Sequence, residues 1–179
     1  MLNRDNSLLI IIDIQEKLIK AAQNSNSLIN SANKITKAAN ILGIPLIITE
    51  QYPKGLGQTD PSILEAYPNV HPIEKTSFSA MQEENFINEI KKFNKKQILL
   101  CGIETHICVL QTAIELISNG YDVYILKDAS SSRSEFEHKS GLDLLQQYGA
   151  KIISTEIAIF QWLRTSKHPH FKEIQALIK

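Results

Sequence analysis

Residues 8–12 form an unbroken aliphatic run, LLIII, closed by Asp13. A strand that is apolar on both faces must be covered on both faces, which is the condition of a strand inside a parallel sheet. Similar short runs recur at residues 45–49, 70–75, 98–101, 121–126 and 151–154. Between them lie segments of helical character at residues 27–42, 61–66, 82–93, 106–118, 134–148, 155–163 and 169–178. The helix at 27–42 is the clearest. Leu28, Ala32, Ile35, Ala39 and Leu42 fall on one face, and Gly43 stops it. Alternating strands and helices predict an α/β fold, a three-layer, doubly wound (Rossmann-like) sheet of six mostly parallel strands in the order 3-2-1-4-5-6. No linker, repeat or low-complexity tract interrupts the pattern, so residues 1–179 read as a single domain.

Charge narrows the function. Lys plus Arg and Asp plus Glu each number 19, for a formal net charge of zero. That balance speaks against nucleic acid or an acidic membrane as partner, and offers little protection from self-association. The two cysteines make no disulfide framework, and no CxxC or paired histidine set suggests zinc. Residues 1–7 are polar and the run after them is short, so no signal peptide is expected, and no run has the length of a membrane span. A reducing, cytoplasmic setting is the simplest expectation.

In the predicted strand order, strands 1 and 4 are neighbours at the switch point, where ligands bind beyond the carboxyl ends of the strands. Asp13 follows strand 1, and the stretch QILLCGIETHICVLQT at 97–112 carries strand 4 into a helix with Cys108 in its first turn. A helix N-terminus lowers a thiol's pKa, and the thiolate is the nucleophile. Thr105 is a candidate N-cap for that helix. A free cysteine is more often a small buried hydrophobe, and Cys101, within ILLC, reads that way. Cys108 lies instead on the side of Gln111, Thr112 and Glu115, which favours a functional thiol. Asp13 and Glu16 fit a capping box, so local sequence makes capping the first reading of Asp13. Lys75 ends strand 3, where a lone lysine is ordinarily a solvated surface residue. His106 reads as exposed, and the 128–133 segment DASSSR as a cap for the next helix. The Gly- and Pro-rich segment 51–61 matches no phosphate-binding fingerprint and reads as a mobile rim or lid.

The motifs LLIIIDIQ, EKTSFSA and CGIETHICVLQTA, followed by DASSSR and TEIAIF, occur in that order over nearly the whole chain. In this the sequence resembles the isochorismatase-like cysteine hydrolases, and most closely the isochorismatase domain-containing branch. The resemblance implies a triad of Asp13 as base and then acid, Lys75 as the charge that holds the site, and Cys108 as nucleophile. It further implies a non-proline cis peptide at Ile103-Glu104, with the Glu104 and Cys108 amides serving a developing oxyanion. Gln15, Tyr52 and Phe78 complete the expected substrate-binding set.

Two departures sharpen this. Nicotinamidases carry an Asp-x-His metal motif after strand 2; here the stretch is Thr49-Glu50-Gln51-Tyr52, which speaks against a metal site and against nicotinamide. Isochorismatases proper lack the cysteine, so Cys108 argues against vinyl-ether hydrolysis. The resulting expectation is a cofactor-free, metal-free hydrolase, acting on a carbon–nitrogen bond of a small molecule through a thioester, in a homo-oligomer. The competing readings are a catalytically silent scaffold of the same fold and a redox-sensing thiol protein.

Overall fold

The computed structural model describes residues 1–178. Its centre is a six-stranded parallel sheet in the order β3-β2-β1-β4-β5-β6. The strands are β1 (Ser7–Ile12), β2 (Leu46–Gln51), β3 (Ile73–Lys75), β4 (Gln97–Ile103), β5 (Asp122–Ser131) and β6 (Lys151–Ile153). Every residue of β1 is buried, as its composition requires, and the strand is paired on both sides: Leu9 with Leu46 and with Leu99.

Side-chain alternation along β1 divides the core in two. Leu9 and Ile11 join Leu28, Ala32, Ile35 and Trp162 on one face, under α2 (Ser25–Leu42), α8 (Thr155–Leu163) and α9 (Phe171–Ile178). Leu8, Ile10 and Ile12 join Phe86, Ala113, Leu116 and Leu145 on the other, under α5 (Glu84–Phe93), α6 (Leu110–Ser118) and α7 (Glu135–Gln147). Three shorter helices, α1 (Glu16–Ala21), α3 (Pro53–Leu56) and α4 (Pro61–Ala66), lie in the β1–α2 and β2–β3 connections.

The local signals act as their chemistry suggests. Gly43 closes α2 in the left-handed conformation, its N–H donating to the carbonyls of Ala39 and Asn40. Ser134 and Ser154 cap α7 and α8 by accepting from the amides of Glu137 and Ile157. Several boundaries differ from the sequence expectation. β3 is only three residues long. β5 runs on to Ser131, because its polar end still pairs with β4 at Gly102 and Ile103. The segment DASSSR is therefore mostly strand, and Asp128 accepts from the Thr155 amide and hydroxyl instead of capping α7.

Gly102 is the tightest point of the sheet. Its φ is 137°, and a Cβ placed there would stand 1.9 Å from the Ile12 carbonyl oxygen. The β4–β5 register shifts at this residue, so β1 and β4 reach the switch point at backbone contact distance. Gly102→Ala is expected to lower the unfolding free energy by ~3 kcal/mol or more, from overlap plus backbone strain. Gly43→Ala, which meets nothing within 4 Å, is expected to lose only about 1 kcal/mol. Urea midpoints for the two variants test the difference.

Candidate active site

β1 ends at Asp13, whose backbone takes the left-handed conformation with φ 51°. This turns a fully buried carboxylate into the crevice beyond the strand ends. Asp13 is not a helix cap. α1 begins at Glu16, with Gln15 in the cap position. Thr49, from the end of β2, donates its hydroxyl to Asp13 Oδ1 at 2.7 Å. Lys75, from the end of β3, brings Nζ to 2.7 Å from Asp13 Oδ2, and the ion pair is almost completely out of water. Lys75 is thus no surface lysine. Its ammonium also donates to Gln51 Oε1 at 2.7 Å and to the carbonyls of Ser77 and Phe78 at 3.1 and 3.3 Å. Beyond that ammonium, Asp13 Oδ2 has no other hydrogen-bond partner, and a carboxylate oxygen can accept a second one, so it keeps acceptor capacity.

Cys108 sits in a wide π-type turn, Thr105–Val109, between β4 and α6. The Val109 amide reaches back five residues to the Glu104 carbonyl. Cys108 is 6% exposed, and its thiol lies close enough to Asp13 and Lys75 for both charges to act on it. Asp13, Lys75 and Cys108, separated by up to 95 residues in sequence, therefore meet at one buried point. The Ile103–Glu104 peptide that leads into the turn is cis.

The electrostatics reverse one expectation. Burial pushes the Cys108 thiol up to about 12, the facing Asp13 charge adds to the rise, and Lys75 only partly opposes it. A helix start does not make this thiol acidic, because desolvation and a neighbouring carboxylate outweigh the turn's dipole. Burial also raises the Asp13 pKa against the lowering effect of Lys75. The resting site holds a protonated thiol beside a carboxylate that is more basic than a surface aspartate. Cys101 is also buried and raised, and lies in the opposite core cluster from Cys108.

The remaining candidates scatter. Both amide protons of Gln15 go to the carbonyls of Gln51 and Gly57, and its oxygen accepts from the Gln51 amide. Gln15 ties down the 51–61 segment. That segment is anchored further by Lys17 donating to the Gly55 carbonyl, and by the Thr59 amide and hydroxyl donating to Glu50 Oε1. It is a pinned rim with a helical turn of its own. Tyr52 and Phe78 are 57% and 56% exposed, and each adjoins a residue or backbone group bound to Lys75. Glu104 pairs with Arg133 at 2.8 Å.

Thr105 does not cap. Its hydroxyl reaches the Ser131 carbonyl and His138, while the partly buried His106 bonds the Ser132 hydroxyl at 2.9 Å. Among the described residues, no group of three or more His, Cys, Asp or Glu side chains could hold a metal ion. None of the described helices is long and apolar enough to cross a membrane. A cleft of about 1160 Å³ between the start of β2 and α5 contains none of these residues.

The Isochorismatase domain pattern matches residues 7–157. The chain belongs to the isochorismatase family. Isochorismatase domain-containing protein 2 of Danio rerio is 38% identical over 177 residues, covering 99% of this chain and 89% of that protein. Among solved structures, the MAR1 ribonuclease of Caenorhabditis elegans superposes with a TM-score of 0.93 at 38% identity, covering 99% of this chain and 91% of its own. The Escherichia coli YcaC protein, described as an octameric hydrolase of unknown specificity, shares the fold with a TM-score of 0.90 at 22% identity; the alignment covers 99% of this chain and 94% of that one.

Within this isochorismatase domain, removing one member of the buried ion pair strands the other. Lys75→Met is expected to cost ~3–5 kcal/mol at pH 7. The raised Asp13 pKa means that the folded chain holds this proton more tightly than the unfolded chain. Its contribution is therefore complete below the ordinary carboxyl range and is lost as pH rises through the folded value. Lys75→Met widens that gap, so the variant should recover stability relative to wild type as pH falls. Denaturant titrations at several pH values check both statements.

Proposed function

We propose that this isochorismatase-family protein is a metal-independent cysteine amidohydrolase acting on a small molecule. The observation that carries this reading is the meeting of Asp13, Lys75 and Cys108 at the carboxyl ends of β1, β3 and β4, out of water. In the proposed cycle Cys108 Sγ attacks the carbonyl carbon while its proton passes to Asp13 Oδ2, the oxygen with spare acceptor capacity. A thiol at about 12 does not ionise alone at neutral pH, so proton transfer accompanies attack. The amides of Glu104 and Cys108 are the assigned donors to the oxyanion. Collapse breaks the C–N bond, and Asp13 returns the proton to the leaving nitrogen. Water then attacks the thioester, losing a proton to Asp13; the C–S bond breaks, and the thiolate recovers that proton. Lys75 keeps the carboxylate in place throughout and offsets negative charge near the sulfur.

A carbon–nitrogen bond and a thioester suit a protonated thiol paired with a carboxylate base. Two free, buried cysteines in opposite core clusters suit a reducing cytoplasm, and leave Cys108 without a resolving thiol for redox sensing. Exposed Phe136, Tyr148, Ile157 and Phe160 suit self-association. The ribonuclease name carried by several structural neighbours supplies a contrasting activity, but a net charge of zero is poor equipment for a phosphate backbone.

Incubation with an electrophilic amide analogue should add its mass to Cys108. The adduct should vanish in Cys108→Ala and form roughly a hundredfold more slowly in Asp13→Asn, the loss expected of a general base. Simple alkylation of resting Cys108 should keep accelerating from pH 7 to 10 without a plateau, as a thiol held at about 12 requires. A Cys108 that alkylates like a small free thiol would sink the reading. Absence of Cys108-dependent turnover across amides and esters would favour the scaffold alternative, and Cys108-independent cleavage of RNA the nuclease one.

A further inference from the structure

The turn that carries Cys108 is gripped from outside by α7. Gly141 lies in the middle of α7, and a Cβ there would stand 3.0 Å from the His106 Cα and 3.1 Å from its nitrogen. Helix backbone and turn backbone are therefore in direct contact at this glycine. One helical turn earlier on the same face, His138 Nδ1 lies 2.8 Å from Thr105 Oγ1. Thr105 is fully buried, and its hydroxyl also reaches the Ser131 carbonyl at 3.1 Å.

The polarity of this pair of bonds depends on where the single Thr105 proton goes. A carbonyl can only accept, and a threonine hydroxyl has one proton to give. We assign that proton to the Ser131 carbonyl, which leaves the imidazole to donate the bond to Thr105. His138 is then the Nδ1–H tautomer when neutral. Burial holds its pKa below the ordinary imidazole value, which favours the neutral ring. Each end of the chain of bonds is anchored in regular structure: Ser131 closes β5, and His138 is held in α7, its amide donating to the Ser134 carbonyl. Thr105 stands three positions before Cys108, with two residues between them.

We propose that His138 is a positioning residue for Cys108, clamping the Thr105–Val109 turn to α7 and β5 through Thr105. The proposal rests on the cysteine-hydrolase reading for its functional consequence, but the clamp itself does not. It assigns a role to a side chain that touches neither the thiol nor the Asp13–Lys75 pair. A π-type turn is rare and occurs here as a single turn between β4 and α6, so a second attachment has something to fix. The alternative, a histidine that merely fills space, predicts that shape alone matters.

The test separates these by where the replaced group carries its N–H. Asn puts an amide nitrogen at the position of Nδ1, Gln puts it one bond further out, and Phe keeps the ring but no donor. In His138→Phe and His138→Gln, hydrogen exchange of the 104–109 amides should rise ~10-fold, the value of one hydrogen bond. Labelling of Cys108 by the amide-analogue electrophile should fall by a similar factor, and His138→Asn should restore both. If His138→Phe does not fold, Thr105→Val against Thr105→Ser asks the same question from the other partner. The nitrogen-15 shifts of the wild-type ring should report a protonated Nδ1. Equal exchange and labelling in all variants, rescue by Gln as good as by Asn, or an unprotonated Nδ1 in the neutral ring would overturn the assignment. If wild-type Cys108 is inert while exchange responds as expected, the hydrolase reading falls and the clamp stands.

Discussion

The buried pair of Asp13 and Lys75 organises this end of the molecule. Taking two charges out of water costs several kcal/mol for each ion, and their mutual attraction offsets this only when the remaining donors and acceptors are also used. Here all but Asp13 Oδ2 are used, and by parts of the chain that would otherwise be loose. Lys75 collects the Gln51 side chain and the carbonyls of Ser77 and Phe78, and Asp13 collects Thr49. The ends of β1, β2 and β3 and the start of the 76–83 connection are thereby fixed to one another. Glu83 completes that connection by accepting from the amides of Thr76 and Ser77. The rims carrying Tyr52 and Phe78 are consequences of the ion pair as much as of their own sequences.

A second constraint brings the thiol to that pair. Gly102 lets β4 run against the Ile12 carbonyl, immediately before β1 delivers Asp13. A side chain at 102 would push the two strand ends apart at the level where Asp13 and Cys108 must meet. Sheet geometry and site geometry are therefore one problem here, and the glycine solves it at the cost of a backbone conformation that other residues avoid.

Sequence patterns made the architecture legible because it rests on short-range rules. Aliphatic runs mark strands buried on both faces, and α2 has apolar spacing and a glycine stop that need no tertiary help. The meeting of Asp13, Lys75 and Cys108 was legible only through strand order and family resemblance, since locally Asp13 looks like a cap and Lys75 like a surface residue. Around the site, inference that stayed local failed. Thr105 has the right chemistry for an N-cap, yet its hydroxyl is claimed by Ser131 and His138. The helix-start argument for an acidic thiol ignored burial and a carboxylate 95 residues away. The polar end of β5 hid its continuation as strand. His138 had no local signal in EFEHKS except Gly141 three residues on, a glycine inside a helix that marks close approach of another backbone.

The site's hydrogen bonds are unevenly distributed, and the unevenness has a direction. Lys75, Gln15 and Thr105 spend their donors on partners that hold backbone in place. Asp13 Oδ1 is occupied by Thr49, whereas Oδ2 retains room for a proton, and the thiol beside it holds one tightly. In a site with water largely excluded, Asp13 is the carboxylate that acts on the Cys108 thiol, and so the acceptor proposed for its proton. Burial raises both pKa values, so the thiol stays protonated at rest while the carboxylate gains affinity for the proton it would receive. An acidic thiol would be reactive toward any electrophile. In the proposed cycle, a thiol that gives up its proton only to Asp13, and only as sulfur forms a new bond, would tie reactivity to a carbonyl already seated against it.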